Sequence, residues 1–284
     1  MFVIDVGASA EWWPRMGTLY LVATPIGNLE DVTFRAIRVL REVSLIAAED
    51  TRTTRTLLRR YDVRTPLTSY TDHNRREKTP LLLETLERGD VALVSEAGMP
   101  GVSDPGYHLV VAAIEAGHTV APVPGPSAVT ASVAASGLPS RRFYYLGFLP
   151  KARGPRRRAL AAVAAIPDTL VAFESPRRLR ATLEDLRDML GERRVAVCRE
   201  LTKLHEEILR GTVADVLARL PPEPRGEVTL VIEGAGTLPE HEPELDLDAA
   251  IAELKARGAT AREAVAALAG RAPRREVYRR WLKG

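Results

Sequence analysis

Short apolar runs alternate with amphipathic stretches from residue 18 onward, and the two periods predict strands and helices in turn. The runs at 19–23, 44–48, 67–70, 91–94 and 118–123 read as buried strands. After the first of them, Phe34, Ile37 and Leu40 recur at helical spacing behind Asp31, a residue type that can cap that helix. An apolar helix is expected at 107–116, and one of small residues (Ala, Val, Thr, Ser) at 128–136. The second half repeats the alternation, with strands expected at 143–148, 169–174, 194–199 and 227–233 and helices at 156–166, 176–190 and 213–220. Such alternation is the sign of parallel α/β structure, so the expected fold class is α/β, in two domains at 17–125 and 126–236. Residues 1–16 precede the first periodic segment and are expected to be a disordered, dispensable extension, with Met16 a possible true start. Residues 245–284 read as a helical tail, with helices at 249–255, 261–268 and 274–282 in helix-turn-helix-like spacing.

The densest punctuation follows the run 91–94. Ser95-Glu-Ala-Gly-Met-Pro-Gly-Val-Ser-Asp-Pro-Gly106 leaves a strand end, where open α/β sheets place their ligands. Its glycines let backbone approach a ligand, so a side chain at Gly98 is expected to block that approach. Pro124-Gly-Pro-Ser127 is a second rigid loop close by, and the pair points to a small-molecule cleft. Backbone amides in the turn Thr24-Pro-Ile-Gly-Asn28 could hold a carboxylate or phosphate. That turn lacks the lysine of a phosphate loop and the glycine spacing of a dinucleotide fingerprint. Glu49-Asp50-Thr51-Arg52 fits either a helix cap with a salt bridge or an arginine that orders a ribose or phosphate. His73 stands beside Asp72, either as an oriented imidazole or as a solvated loop residue. No His, Cys or carboxylate spacing suggests a metal, and none is expected.

Composition adds less. Of 284 residues, 45% are hydrophobic and 27% charged, as in soluble globular proteins, and no apolar run reaches membrane-spanning length. A cytoplasmic protein is expected. The single cysteine, Cys198, lies in an apolar run and reads as a buried strand residue. A net charge of +3 says little about partners, but its distribution says more. Arg141-Arg142-Phe143-Tyr144-Tyr145 interleaves cations with rings. Lys151-Ala-Arg-Gly-Pro-Arg-Arg-Arg158 reads as a flexible basic loop, since its Gly and Pro argue against a salt-bridged helix. Arg271, Arg274, Arg275, Arg279 and Arg280 give the tail a basic end.

The glycine-rich stretch Ser95–Gly106 resembles the central signature of the tetrapyrrole-methylase superfamily. Thr24-Pro-Ile-Gly-Asn28, Ala48-Glu-Asp-Thr-Arg52, Asp72-His-Asn74, Pro124-Gly-Pro-Ser127, Phe173-Glu-Ser-Pro176 and Arg199-Glu-Leu-Thr-Lys203 fall in the order of that superfamily's blocks. The nearest match is the branch that methylates the ribose 2′-hydroxyl of a cytidine in bacterial small-subunit (16S) ribosomal RNA. That branch usually carries Asp and Thr where this chain has Glu96 and Met99, and commonly His where it has Arg177. The resemblance implies S-adenosyl-L-methionine folded in a cleft between the two α/β domains. It implies that Thr24, Pro25, Ile26, Gly27, Ser95, Glu96, Ala97, Gly98, Met99, Val102, Pro124, Ser127, Ala128 and Phe173 hold the cofactor. It also implies a ribosomal RNA partner, no membrane and a homodimer.

For the RNA, Arg52, Arg141, Lys151, Arg153, Arg156, Arg157 and Arg158 are the expected contacts. Glu49, Asp50, His73, Glu200 and Lys203 are the candidates for taking the hydroxyl proton or stabilising the oxyanion. Lys203, if desolvated, could give up its own proton; otherwise it forms a structural bridge to Glu200. Two other readings compete: a methyltransferase for a small tetrapyrrole-like substrate, and a non-catalytic RNA-binding assembly protein.

Overall fold

The computed structural model describes residues 17–236, 246–269 and 272–283. The expected extension 1–16 and Arg271 of the tail lie outside the described residues. The chain divides into two compact units, Met1–Ala235 and Gly236–Gly284, and both sheets belong to the first.

The first sheet holds β1 (Thr18–Val22), β2 (Leu45–Ala48), β3 (Leu67–Ser69), β4 (Val91–Val94) and β5 (Thr119–Val123). All its pairings are parallel, in the order β3-β2-β4-β1-β5. Every residue of β4 is buried, which is why that strand is a continuous apolar run and does not alternate. Its side chains divide by the two-residue period of a strand: Ala92 and Val94 join the core on one face, Val91 and Leu93 the core on the other. The crossovers are α1 (Phe34–Glu42), α2 (Thr51–Arg60), α3 (Arg75–Leu86) and α4 (Tyr107–Glu115).

The start of α1 departs from expectation. Asp31 ends a single 3-10 turn, Leu29–Asp31, and the cap of α1 is Thr33, whose hydroxyl accepts from Ala36 N at 3.0 Å. The buried stripe is then Ala36, Val39 and Leu40. Phe34 sits two residues, about 200°, from Ala36 and faces away from the core, 94% exposed.

The second sheet holds β6 (Phe143–Phe148), β7 (Thr169–Glu174), β8 (Arg194–Arg199), β9 (Glu207–Thr212) and β10 (Val228–Ile232), in the order β6-β7-β10-β8-β9. Only β6 and β7 run parallel; the other neighbours are antiparallel. The parallel alternation expected of this half therefore holds only at its edge, and β9 is a strand that the periodicity did not predict. One face of the sheet is covered by α6 (Arg153–Ala162), α7 (Leu179–Leu190) and α8 (Val213–Arg219), through Leu160, Leu183 and Val216. The other face receives α5 (Ala128–Ser136), through Val129 and Val133.

Residues 151–158 are not a flexible loop. They form the entry and first turns of α6, with Pro155 at the third helical position, where its missing N–H costs no hydrogen bond. Arg156 is 4% exposed and donates through Nε and Nη2 to Asp185 Oδ2 of α7 at 2.9 and 2.6 Å, with Arg153 and Arg157 on Asp185 Oδ1. Burial works against the Asp185 charge, but the three guanidinium groups hold its pKa below the ordinary value.

The unit that follows is a three-helix module, α9 (Leu247–Ala256), α10 (Ala261–Ala267) and α11 (Arg274–Lys283), around Leu247, Ile251, Ala264, Leu268 and Val277. Thr260 and Glu263 close a capping box on α10.

Candidate active site

β1 and β4 are neighbours, so the loops that leave their carboxyl ends meet. Thr24 and Gly98 form a two-residue antiparallel bridge, with N–H to O distances of 2.9 and 3.0 Å. The Thr24 hydroxyl adds a bond to the Ser95 carbonyl at 3.3 Å, and the Ser95 hydroxyl bonds the Gly98 carbonyl at 3.3 Å. Gly98 has φ +81°, where a side chain is strained. A Cβ there would meet its nearest neighbours only at 3.7 Å, so the glycine is required by its backbone conformation and not by crowding.

A cleft of about 740 Å³ opens beside this bridge. From the first half come Ile26, Glu49, Glu96, Ala97, Gly98, Met99, Val102, Ser103 and Asp104. The second half supplies Ser127, Ala128, Val129, Phe173 and Glu174, the rings of Phe143, Tyr145 and Phe148, and Leu201 with Gly226–Thr229. Nine of the expected cofactor residues thus line it: Ile26, Glu96, Ala97, Gly98, Met99, Val102, Ser127, Ala128 and Phe173. Thr24, Pro25 and Ser95 are buried behind it as supports, and Gly27 and Pro124 lie outside the lining. Two amides at the far side of the Gly27 turn are engaged: Asn28 N donates to Thr202 Oγ1 at 3.0 Å and Glu30 N to Asn28 Oδ1 at 3.1 Å. That turn is a joint between the two halves.

Of the five carboxylates in the lining, Glu174 is paired with Arg178 and Glu227 with Lys203, which leaves Glu49, Glu96 and Asp104 to set the electrostatics of the cleft. Glu49 leaves the end of β2 and accepts from Glu96 N at 3.3 Å. Its pKa is raised, first by burial and then by the charges of Glu96, Asp72 and Asp50, against the amide bond that lowers it. Asp104 is pushed up to about 7, again by burial first and then by Glu49, with a hydrogen bond to Ser95 working the other way. An apolar-walled cleft with this anionic side suits a cationic ligand and provides a base near neutrality. Asp104 was absent from the expected catalytic residues. The sequence offered only its place in the Gly- and Pro-rich loop, directly before Pro105; the left-handed φ of +65° at the preceding Ser103 appears in the fold alone.

The other candidates stand elsewhere. Asp50 accepts from Arg52 N at 2.7 Å as the cap of α2, and the Arg52 guanidinium holds its pKa down to about 2. His73 is exposed beyond β3, at the sheet edge, and its neighbour Asp72 pairs with Arg75. Lys203 Nζ lies 2.8 Å from Glu200 Oε1 and 3.0 Å from Glu227 Oε2. Partial burial opposes its charge, but these two bonds raise its pKa above the ordinary value, so the idea of a lysine that sheds its proton is corrected. Glu200 also accepts from Glu227 N at 2.9 Å, which makes the trio a brace for the turn behind Leu201.

Of the expected RNA contacts, Arg52 pairs with Asp50, and Arg153, Arg156 and Arg157 are engaged by Asp185. Arg141, Lys151 and Arg158 are exposed and make no ion pair among the described residues. Cys198 is buried, with its thiol pushed up to about 11 by desolvation. No group of three or more His, Cys, Asp or Glu among the described residues is placed to hold a metal ion.

The sequence profile of the Tetrapyrrole (Corrin/Porphyrin) Methylases matches residues 18–217, from β1 into α8 and short of β10. The chain belongs to the tetrapyrrole methylase family. Among its relatives, the ribosomal RNA small subunit methyltransferase I of Halalkalibacterium halodurans is 52% identical over 229 residues, 80% of this chain and 79% of the relative. The protein of the same name from Synechocystis is 47% identical over 271 residues, 93% of this chain and 96% of the relative. Solved structures share the fold. A cobalt precorrin-4 methyltransferase superposes with a TM-score of 0.59 at 18% identity, covering 78% of this chain and 98% of its own. A diphthine synthase does so with 0.60 at 15%, covering 76% and 90%.

Proposed function

We propose that this methylase transfers a methyl group from S-adenosyl-L-methionine to the ribose 2′-hydroxyl of a cytidine in bacterial 16S ribosomal RNA. The observation that carries the reading is the carboxylate-bearing cleft at the strand ends, in a chain that matches small-subunit ribosomal RNA methyltransferases over 79% and 96% of the length of the two relatives above. The donor set fits the cofactor: Glu49, Glu96 and Asp104 complement a cation, and Ile26, Val102, Val129 and Phe173 offer apolar walls. When bound, the cofactor supplies an electrophilic methyl carbon on a sulfonium, which becomes a neutral thioether as the ribose oxygen takes the methyl.

The chain's own work is to align that hydroxyl and receive its proton. Asp104 is the proton acceptor in this reading, because a carboxylate near 7 accepts from a weakly acidic hydroxyl far better than one near 4. Glu49 keeps Asp104 basic by like charge, and the exposed Arg141, Lys151 and Arg158 carry RNA phosphates. The reading includes a cytoplasmic homodimer, whose mass sedimentation equilibrium measures. The test is methyl transfer from labelled S-adenosylmethionine to 16S ribosomal RNA, naked and in assembled small subunits, alongside calorimetry of cofactor binding. Binding without transfer to either RNA form would support an assembly protein instead.

A further inference from the structure

A second basic feature lies outside the cleft. A groove of about 590 Å³ runs between α1 and the end of α2, lined by Phe34, Ile37, Arg38, Arg41, Arg59 and Arg60 with Glu42, Tyr61 and Asp62. Phe34, Ile37, Arg38 and Arg41 recur three or four residues apart, so they share one face of α1 over about 10 Å. Phe34 is 94% exposed, a placement that burial does not explain. Arg59 and Arg60 are exposed and make no ion pair among the described residues; Arg60 lies 5.9 Å from the centre of the Tyr61 ring. Arg41 is fixed by a bond to the Tyr61 carbonyl at 2.6 Å, and Tyr61 by one to the Leu29 carbonyl at 2.7 Å. The two acids are already engaged, Glu42 by Arg38 at 2.7 Å and Asp62 by Arg64 at 3.1 Å.

We propose that this groove is a second ribonucleic-acid contact, in which the arginines bind backbone phosphates and Phe34 stacks an unpaired base. Charge complementarity selects the occupant. With Arg38 spent on Glu42, three guanidinium groups without a carboxylate partner among the described residues, Arg41, Arg59 and Arg60, match a polyanion, and guanidinium groups pair with phosphate oxygens in a fixed fork. A protein-binding groove would present an apolar centre with a polar rim. Here the apolar part is the solvated Phe34 ring with Ile37 and the Tyr61 ring, set among arginines, and rings beside guanidinium groups are the provision for stacking a base. Phe34 stands at the start of α1, on the carboxyl-end side of the first sheet, and Arg59 and Arg60 stand at the far end of α2, so the groove runs away from the cleft and suits an extended substrate. The groove then gives affinity and register while the cleft performs the chemistry.

This inference rests on the RNA-methylating reading, and the experiment separates the two. The triple variant Phe34→Ala, Arg59→Gln, Arg60→Gln is compared with wild type and with the charge control Arg88→Gln, an exposed arginine just after α3. The readouts are filter binding of naked 16S ribosomal RNA over a salt series and methyl-transfer kinetics. The triple variant should bind naked RNA about tenfold more weakly, with KM raised and kcat held, and cofactor affinity and Tm unchanged. The slope of log K against log salt should become shallower by about 1.4, at roughly 0.7 for each single-strand phosphate that an arginine no longer neutralises. Arg88→Gln should match wild type. Unchanged RNA affinity in the triple variant would overturn the proposal. So would weakening seen with assembled subunits but not with naked RNA, which would mark the groove as a protein contact. Filter binding reads the groove even if wild type transfers no methyl, so failure of the enzymatic reading does not mask the result.

Discussion

At the scale of single residues, the account turns on Asp104. Its folded pKa of about 7 means that the carboxylate is half protonated at neutrality. As the proton acceptor it works only when ionised, so kcat/KM should rise roughly tenfold per unit as pH increases towards 7 and then level off. Asp104→Asn should lower kcat by roughly 10²- to 10⁴-fold and remove this limb, with cofactor affinity changed less than turnover. The linkage has the opposite direction for stability. A carboxyl whose pKa is raised on folding binds protons more tightly in the native state, so it costs stability as pH rises from about 4 to 7. Asp104→Asn should therefore melt higher than wild type at pH 8 and equal to it at pH 4. A variant equally active at all pH values would assign the proton to another group.

Lys203 gives the contrasting case. It is clamped between Glu200 and Glu227 with a raised pKa, so its place is structural. Lys203→Met should cost up to about 1 kcal/mol, the range of partly exposed ion pairs, and activity should fall only with the folded fraction. Denaturant titration beside single-turnover rates distinguishes this from a catalytic loss.

At the scale of elements, the ion-paired junction of α6 and α7 carries a stability prediction. Asp185→Ala leaves Arg156 buried and charged without its partner, a change that typically costs about 3–5 kcal/mol. Arg158→Gln, two residues on and about 200° round the helix on the exposed face, should leave Tm unchanged and weaken RNA binding; calorimetric melting and filter binding check the two. This junction also shows where the sequence misleads. Gly154-Pro155 reads as a helix breaker, yet a proline in the first turn lacks only an N–H that has no helical partner. The acid that draws the arginines into the fold is about 30 residues away, so no local pattern reveals it.

Strand β9 escaped for a related reason. Glu207-Ile-Leu-Arg-Gly-Thr212 has charged residues in its length and glycine in its interior, and it occupies the sheet edge, where pairing with β8 and not burial makes it a strand. Strands β2 and β4 were legible because central parallel strands covered on both faces must be apolar throughout. The helix phase of α1 was not, because Thr33 outcompeted Asp31 as cap and turned Phe34 outward.

At the scale of the whole molecule, the side of the cleft formed by the loops rich in glycine and proline was readable, because such loops require particular backbone conformations, whereas the side formed by Phe143, Tyr145, Phe148 and Gly226–Thr229 was not. The contribution of Asp104 was not, because its pKa comes from carboxylates in separate loops and from burial that only the fold supplies. The two α/β halves meet where the Gly27 turn touches the loop after β8. A Cβ on Gly27 would lie 2.5 Å from Lys203 Cγ, 2.8 Å from Thr202 Oγ1 and 2.9 Å from Leu201 O. Gly27→Ala should therefore push that joint apart beside Ile26 and Leu201, and weaken cofactor binding about tenfold by calorimetry while both sheets stay folded by circular dichroism. Unchanged affinity would show that the joint does not set the cleft.

The most direct measurement is the position of the transferred methyl. Wild-type protein and Asp104→Asn are incubated with methyl-labelled S-adenosylmethionine and 16S ribosomal RNA or small subunits, and the RNA is hydrolysed in alkali. The account predicts label in an alkali-resistant dinucleotide containing a 2′-O-methylated cytidine with wild type, and label reduced by two orders of magnitude or more with Asp104→Asn. Label on a base, or none in either RNA form from a protein that binds the cofactor, would contradict it.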